Sequence, residues 1–392
     1  MSPLRLTVSV PGTFWAFRIA EAVADRGGDV VVFTSEPAFV RSTDSGQATV
    51  RTIRHPFLVE QVGHQVPWPD RLVGFTGLNR PFQRWGAYLF DRAVARNLRA
   101  ERAANGLFLG FAGACRDSLR RANDLGYTTA VERSSTHIRT QRELLRAEYE
   151  RFGATGQPIS ERHVEREEQE YVAADYVVTP SEFTVESFRD QGVDAEKLVR
   201  IPFGTDVDFE PPTRGGEDTV TFLFVGHVSL RKGIQYLLPA WKQLEHPDAE
   251  LVVAGRIDDA VADIVAEYAD DSIRFEGWVD DMAALYREAS ALVLPTLEEG
   301  SARVTYEAMA WALPVVTTSH SGWVGTDGEH GFWVPIRDPE ALADAMARLC
   351  ADADLRRRLG ENGRALVERE YTWADYGERV WRAYREMVGT KD

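Results

Sequence analysis

The sequence predicts an α/β protein of two domains, each a parallel sheet wound with crossover helices. Three observations predict it. At 392 residues the chain is too long for one ordinary core and suits two. Short, nearly all-apolar strands alternate with segments of helical periodicity, the pattern of parallel sheets covered on both faces. The alternation lapses once, in a Pro-, Gly- and Asp-rich stretch from Pro202 to Gly216, and then restarts.

Leu4–Val10 alternates as a strand. Phe14–Arg26 carries apolar residues at helical spacing, and Gly27-Gly28 stops it before a second strand, Asp29–Phe33. The middle of the first half is less regular, until Ala173–Thr179 reads as a strand ending at Pro180-Ser181. Beyond the linker the order is strand Val220–Val225, helix from Gly233, strand Leu251–Val253, helix from Asp259, then strand Ile273–Phe275 and helix from Asp281. It continues with strand Ala291–Leu294, a helix from about Ala302, strand Val315–Thr317 and closing helices, the final one from about Trp373 to Met387.

Composition excludes several classes. Apolar content of 44% and charged content of 27% suit a water-soluble globular chain. The longest apolar run, Gly106–Cys115, is far short of the ~18 residues that span a bilayer. The first residues read as a strand stopped by Pro11-Gly12, not as a signal peptide. Cys115 and Cys350 form neither a disulfide framework nor a zinc motif, so the expected compartment is the cytoplasm. A net charge of -16 argues against a nucleic-acid partner. Only four of the 45 basic residues are lysines, a bias that fits either a high-salt source or a GC-rich genome. The segment Arg51–Arg121 runs against the overall charge, with 12 arginines to five acids. It also carries Phe57, Trp68, Phe75, Phe82, Trp85, Tyr88 and Phe90, a composition that suits either a core or a peripheral membrane face.

The chemistry concentrates in "ALVLPTLEEGSARVTYEAMAWALPVV", Ala291–Val316. A buried strand leads through Glu298, Glu299 and Gly300 into a helix that carries Glu307. A loop at the carboxyl end of a parallel strand, opening a helix, is where a phosphate-bearing ligand binds. The N–H groups of Ser301, Ala302 and Arg303 are candidate donors to it, and two carboxylates can accept hydroxyls of a sugar and a ribose. An acidic helix start stabilised by the macrodipole fits the same spacing. A second strand-loop-helix, "FLFVGHVSLRKGIQYLL" from Phe222 to Leu238, puts Arg231 and Lys232 just before a helix.

Glu299 and Glu307, with seven residues between them and followed by "AMA" and "PVV", resemble the Glu-x7-Glu signature of retaining glycosyltransferase family 4. That resemblance implies the GT-B architecture: two facing Rossmann-like domains with the ligand cleft between them. It covers most of the second half and returns at intervals in the first. Residues 1–205 then form the acceptor-side domain, 206–371 the nucleotide-sugar domain, and 372–392 a helix crossing back. Lys232 matches one member of the basic pair that neutralises the donor pyrophosphate. His227 stands where the other, an arginine, is expected, and Arg231 is the candidate substitute. "VERSSTHIRTQ", Val131–Gln141, is similar to the loop whose histidine lies beside the donor sugar, which implies a catalytic role for His137 with Glu299. Gly12, in Pro11-Gly12-Thr13, matches a glycine turn after the first strand. Val279, in "FEGWV", matches a position whose backbone touches the nucleotide base. Gly300, Ser301, Ala302 and Arg303 complete the implied donor site.

The reaction so implied moves a hexose-type sugar from a UDP- or GDP-sugar to a glycan, lipid-linked or small-molecule hydroxyl, with anomeric retention. No cofactor is implied, because the nucleotide-sugar is a substrate, and no metal. Asp206-Val207-Asp208 has the form of a metal-binding Asp-x-Asp but sits in the linker. The alternative is a catalytically weak sugar-nucleotide-binding partner of another transferase, consistent with His227, Ala302 and Ala312 at positions where relatives differ.

Overall fold

Both halves form parallel sheets whose strand order reverses in the middle. The computed structural model describes residues 3–12, 14–35, 48–53, 76–155 (backbone only for 76–85), 159–212 and 219–389. The first half runs β1 (Arg5–Val10), α1 (Ala16–Ala24), β2 (Asp29–Thr34), β3 (Thr49–Thr52), α2 (Thr76–Asn97), β4 (Gly106–Phe111), α3 (Arg116–Asp124) and β5 (Thr128–Glu132). It continues with α4 (Ile138–Arg151), α5 (Glu161–Ala173), β6 (Tyr176–Thr179), α6 (Glu182–Asp190) and β7 (Leu198–Arg200). Spatially the strands lie 3-2-1-4-5-6-7. Leu6, Val8 and Val10 pack one face of β1 against Ile19, Ala20 and Val23 of α1, while Val31 and Phe33 of β2 join Phe108 and Val131 on the opposite face. This two-sided burial is why the strands read as apolar runs. The apolar run from Gly106 is β4, buried at every position.

The second half runs β8 (Val220–Val225), α7 (Ile234–Leu244), β9 (Ala249–Ala254), α8 (Ala262–Tyr268), β10 (Ile273–Gly277), α9 (Met282–Glu288), β11 (Ala291–Leu294) and α10 (Arg303–Ala310). Then follow β12 (Val315–Thr318), β13 (Gly331–Val334), α11 (Pro339–Ala351), α12 (Ala353–Glu370) and α13 (Trp373–Gly389). The sheet order is 10-9-8-11-12-13. Each sheet therefore has the doubly wound order with a switch point, β1/β4 in one and β8/β11 in the other, outside which ligands bind.

The carboxyl edges of the two sheets meet. Gly300, after β11, packs so tightly on the loop after β5 that a Cβ there would lie 1.9 Å from the Ser134 carbonyl oxygen. Ser181, after β6, donates to the Gly300 carbonyl at 2.5 Å. Phe183 stacks on His320, with ring centroids 4.3 Å apart. The chain passes between the sheets at two adjacent places, because Thr205 bridges to Thr372. Beyond Thr205 the strand is fastened to the second sheet's side by Arg364, which donates to the carbonyls of Val207 and Phe209 at 2.6 and 2.9 Å. Beyond Thr372, α13 lies on the first domain: Tyr376, Val380, Tyr384 and Met387 enter the cluster of Leu6, Val8 and Ile19.

Two sequence expectations shift. The strand expected from Ala173 begins at Tyr176, because α5 extends through Ala173 and the Ala174 N–H still donates to the Glu170 carbonyl. In the basic aromatic segment, Phe90 is core, 1% exposed, and Tyr88 lies under the Arg166 guanidinium. Phe57, Trp68, Phe75, Phe82 and Trp85 lie outside the residues whose side chains are described. Among the described residues no helix is long and apolar enough to cross a membrane.

Candidate functional site at the second switch point

The loops after β8 and β11 flank the switch point and are stitched together. The Leu297 N–H and the Thr296 hydroxyl both donate to the Arg231 carbonyl, at 2.8 and 3.0 Å. Gly233 closes the first loop at φ +80° and opens α7; a Cβ on it would sit 1.9 Å from the Pro295 carbonyl oxygen. Only glycine permits both that backbone angle and that approach. The stitching brings the charged side chains together. Lys232 Nζ lies 2.8 Å from Glu299 Oε1, and Arg231 Nη2 lies 3.5 Å from the same oxygen. Arg231 Nε reaches Glu298 Oε2 at 2.9 Å. Burial pulls the Arg231 pKa down, but Glu299 and Glu298 more than offset it, so the guanidinium stays charged.

Glu307 sits one turn into α10, two-thirds buried, and accepts from the Tyr286 hydroxyl at 2.8 Å with Arg303 3.5 Å away. Burial, then the Glu307 charge, pushes the Tyr286 pKa well up, so this hydroxyl remains a donor. The N–H groups of Gly300, Ser301 and Arg303 have no protein partner among the described residues, and they surround the start of α10. The site thus holds three cations, three carboxylates and open N–H donors at a helix start. Such a set can bind a diphosphate and several hydroxyls. Among the described residues no group of three or more His, Cys, Asp and Glu could hold a metal ion, and Asp206 and Asp208 are both exposed.

One sequence-level assignment needs correction, and the surroundings of two more residues are defined. The Ala302 N–H is not free; it donates to the Ser321 carbonyl at 2.8 Å, because the loop after β12 folds beneath the helix start. The Ser301 hydroxyl is likewise engaged, 2.9 Å from the Tyr306 hydroxyl and donating to the Gly322 carbonyl at 2.8 Å. His137 is 4% exposed, wedged between Tyr171 and Phe188, and its Nδ1 accepts the Arg139 N–H at 3.2 Å as the N-cap of α4. Burial lowers its pKa to about 4, so it is neutral near pH 7. Its Nδ1 is committed to the cap, and Tyr171 and Phe188 hold the ring at the start of α4.

The remaining assignments lie on the rims. His227 follows β8, half exposed, with Nε2 3.1 Å from Asp258 Oδ2. Val279 follows β10, partly buried against the cluster of Leu223, Val225 and Ala254. Gly12 lies at the first sheet's own switch point, with φ +124°, and its carbonyl accepts the Thr34 hydroxyl at 2.7 Å. Its neighbour Thr13 lies outside the described residues. Sequence reasoning missed Glu298, Thr136 and Gln141. Glu298 is fully buried, and Thr136 and Gln141 of the first domain donate to it across the cleft.

The two facing doubly wound domains define the GT-B class, and solved structures bear this out over nearly the whole chain. Sucrose-phosphate synthase from Thermosynechococcus elongatus superposes with a TM-score of 0.70 over 99% of this chain and 100% of that one, at 21% identity. Anabaena HepE in complex with UDP-glucose does so with 0.68, over 97% and 99%, at 15% identity. Residues 219–352, which form most of the second domain, match the family described as Glycosyl transferases group 1. Among curated relatives, the phosphatidyl-myo-inositol mannosyltransferase of Mycobacterium leprae is 35% identical over 204 residues, 49% of this chain and 54% of that protein. The chain spans about half the length of the curated relatives it matches at this level.

Proposed function

We propose that the protein is a retaining glycosyltransferase that moves a hexose-type sugar from a UDP- or GDP-sugar to an acceptor hydroxyl on a glycan, a lipid-linked sugar or a small molecule. The observation that carries the reading is the convergence of Arg231, Lys232, Glu299 and the open N–H groups of Gly300, Ser301 and Arg303 at the β8/β11 switch point. The HepE complex with UDP-glucose, a fold neighbour, makes UDP-glucose a natural first donor to assay.

In this reading Arg231 and Lys232 neutralise the pyrophosphate, which gains negative charge as it leaves. Glu307 holds the ribose and Glu299 the donor sugar. Pyrophosphate entering between Lys232 and Glu299 takes over part of the cation's attention and leaves Glu299 to accept sugar hydroxyls. The C1–phosphate oxygen bond breaks and a C1–acceptor oxygen bond forms on the same face. The acceptor's proton passes to the departing phosphate oxygen, giving the glycoside and a nucleoside diphosphate. Catalysis is positioning and charge stabilisation, and it uses no metal. His137, fixed by its Nδ1 cap at the start of α4, is the first-domain residue assigned to the reacting face. The basic, aromatic segment 51–121 is retained as a candidate anionic or membrane-facing surface.

A panel of UDP- and GDP-sugars, read by nucleotide release and by NMR of the product anomer, tests the proposal. Turnover with retention of configuration is the expected result. Tight nucleotide binding without turnover would favour a non-catalytic partner of another transferase, and neither binding nor turnover would sink the reading.

A further inference from the structure

Glu298 stands one residue before the signature glutamate, yet its carboxylate reaches across the cleft. Thr136 donates to Oε1 through both its backbone N–H and its hydroxyl, each at 2.9 Å, and Gln141 Nε2 donates to Oε2 at 2.9 Å. Arg231 Nε approaches the same Oε2 at 2.9 Å and donates to the Glu298 carbonyl at 2.9 Å. The amide of Gln141 is oriented by Arg133, whose Nη2 donates to its Oε1 at 2.8 Å and which pairs with buried Glu167 at 3.1 Å. An arginine can only donate, so the Gln141 oxygen must face Arg133 and its NH2 must face Glu298. Burial pushes the Glu298 pKa up, but Arg231, Thr136 and Gln141 outweigh it and hold the carboxyl below its ordinary value. A charged, fully buried carboxylate therefore joins the two domains through one side chain.

We propose that Glu298 is a positioning residue that couples donor binding to closure of the two domains. The inference rests on the glycosyltransferase reading for the identity of the donor. With the cleft closed, three donors from the first domain share the Glu298 charge and weaken its hold on Arg231. The guanidinium keeps its direction, fixed by Nε, while Nη1 has no protein partner among the described residues and is available to pyrophosphate. If the domains part, Glu298 loses Thr136 and Gln141 and becomes a bare carboxylate competing with phosphate for Arg231. Closure then strengthens donor binding, and by linkage the donor strengthens closure to the same degree.

Two substitutions separate this role from a merely structural one. In Glu298→Gln the new amide sets an NH2 against the NH2 of Gln141, which Arg133 keeps from flipping; closure is impaired, while the competitor for phosphate is gone. In Gln141→Ala closure is also impaired, but the Glu298 charge is less shared and competes more strongly. Both variants should show a larger radius of gyration than the wild type by small-angle scattering, and neither should compact fully with UDP. UDP affinity, read by calorimetry, should split: unchanged or tighter in Glu298→Gln, and weaker in Gln141→Ala by roughly tenfold, the effect of one hydrogen bond to a charged group. Donor turnover should fall at least tenfold in both, chiefly in kcat for Glu298→Gln. The double variant Gln141→Glu/Glu298→Gln restores the cross-cleft bond with reversed polarity and should recover the compact form.

Wild-type radii in both variants, with UDP affinities within twofold of each other, would overturn the proposal. So would equal losses of affinity in the two. If the wild type binds no UDP and turns over no sugar nucleotide, the glycosyltransferase reading fails. The ligand-free radii still decide whether Glu298 holds the domains together.

Discussion

At the scale of single residues, the site divides into what spacing reveals and what burial decides. Lys232 and Glu299 were legible because the loops that carry them follow apolar strands at a fixed offset, and the fold brings the two side chains within 2.8 Å. Glu298 was not legible, since nothing in "LEEG" says which of two adjacent acids turns inward. The surroundings of His137 were not legible: nothing in "SSTHIRT" says that its ring sits between Tyr171 and Phe188 with Nδ1 capping α4. Lys232→Ala should raise donor KM and lower kcat, with kcat/KM down about 10- to 100-fold, as expected for losing a charge-assisted contact; unaltered steady-state kinetics would remove Lys232 from the clamp. A second residue prediction concerns Glu132, at the end of β5. Trp15 Nε1 donates to its Oε1 at 3.2 Å, its other oxygen has no hydrogen-bond partner among the described residues, and burial raises its pKa to about 8. The folded protein therefore holds a proton that the unfolded chain releases near pH 4.5, so this residue makes stability fall as pH rises between about 5 and 8. Glu132→Gln should melt with the wild type near pH 4 and above it by a few degrees at pH 8 to 9, at about 2–4 °C per kcal/mol. A melting gap that does not vary with pH would contradict this.

At the scale of elements, most strands of the second sheet and the starts of α7 and α10 were legible within about two residues, because those strands are apolar runs, whereas β3, β4, β5, β7 and β13 were not, β3 being the partly exposed TVRT. The end of α5 was not, since Val172 and Ala173 continue a helix as readily as they begin a strand. The loop partners were not legible either: the Ala302 N–H goes to Ser321, a residue nearly twenty positions on whose proximity only the packed sheet creates. Gly233 is a tight element-scale constraint at the site itself. Gly233→Ala meets both the φ of +80° and the Pro295 carbonyl oxygen at 1.9 Å. The left-handed backbone alone costs roughly 1–2 kcal/mol for an L-residue, and the contact adds to it. We expect the melting temperature to fall by at least about 4 °C and donor KM to rise, because Lys232 is displaced with the loop. Wild-type melting and kinetics together would show that the two loops give way independently of the site.

At the scale of the whole molecule, the two sheets are clasped at more than one place. Glu148 of α4, fully buried, accepts from Gln235 at 3.0 Å, from the Tyr236 hydroxyl at 2.5 Å and from Arg337 Nε at 2.8 Å, all three in the second domain. Arg337→Ala leaves that carboxylate without its cation, a loss on the order of 3–5 kcal/mol where a buried pair is broken from one side. The expected outcome is an expanded radius of gyration and a lower melting temperature, with Glu148→Gln/Arg337→Ala recovering part of both; a single variant as compact as the wild type would show that this clasp does not set the domain arrangement. The two-domain order was legible from the restart of the strand pattern, but no feature of the sequence shows that Glu148 meets Arg337. The neighbouring crossings at Thr205 and Thr372 carry one more consequence, for the order of assembly. The apolar flank formed by Leu6, Val8 and Ile19 is sealed by Tyr376, Val380 and Tyr384 of α13. On the ribosome the first domain is made first, yet its flank is covered only when residues 373–389 emerge, after the whole second domain. The half of the protein that begins folding earliest is thus the last to finish, and a chain halted before Trp373 would present an unsealed apolar face to chaperones and proteases.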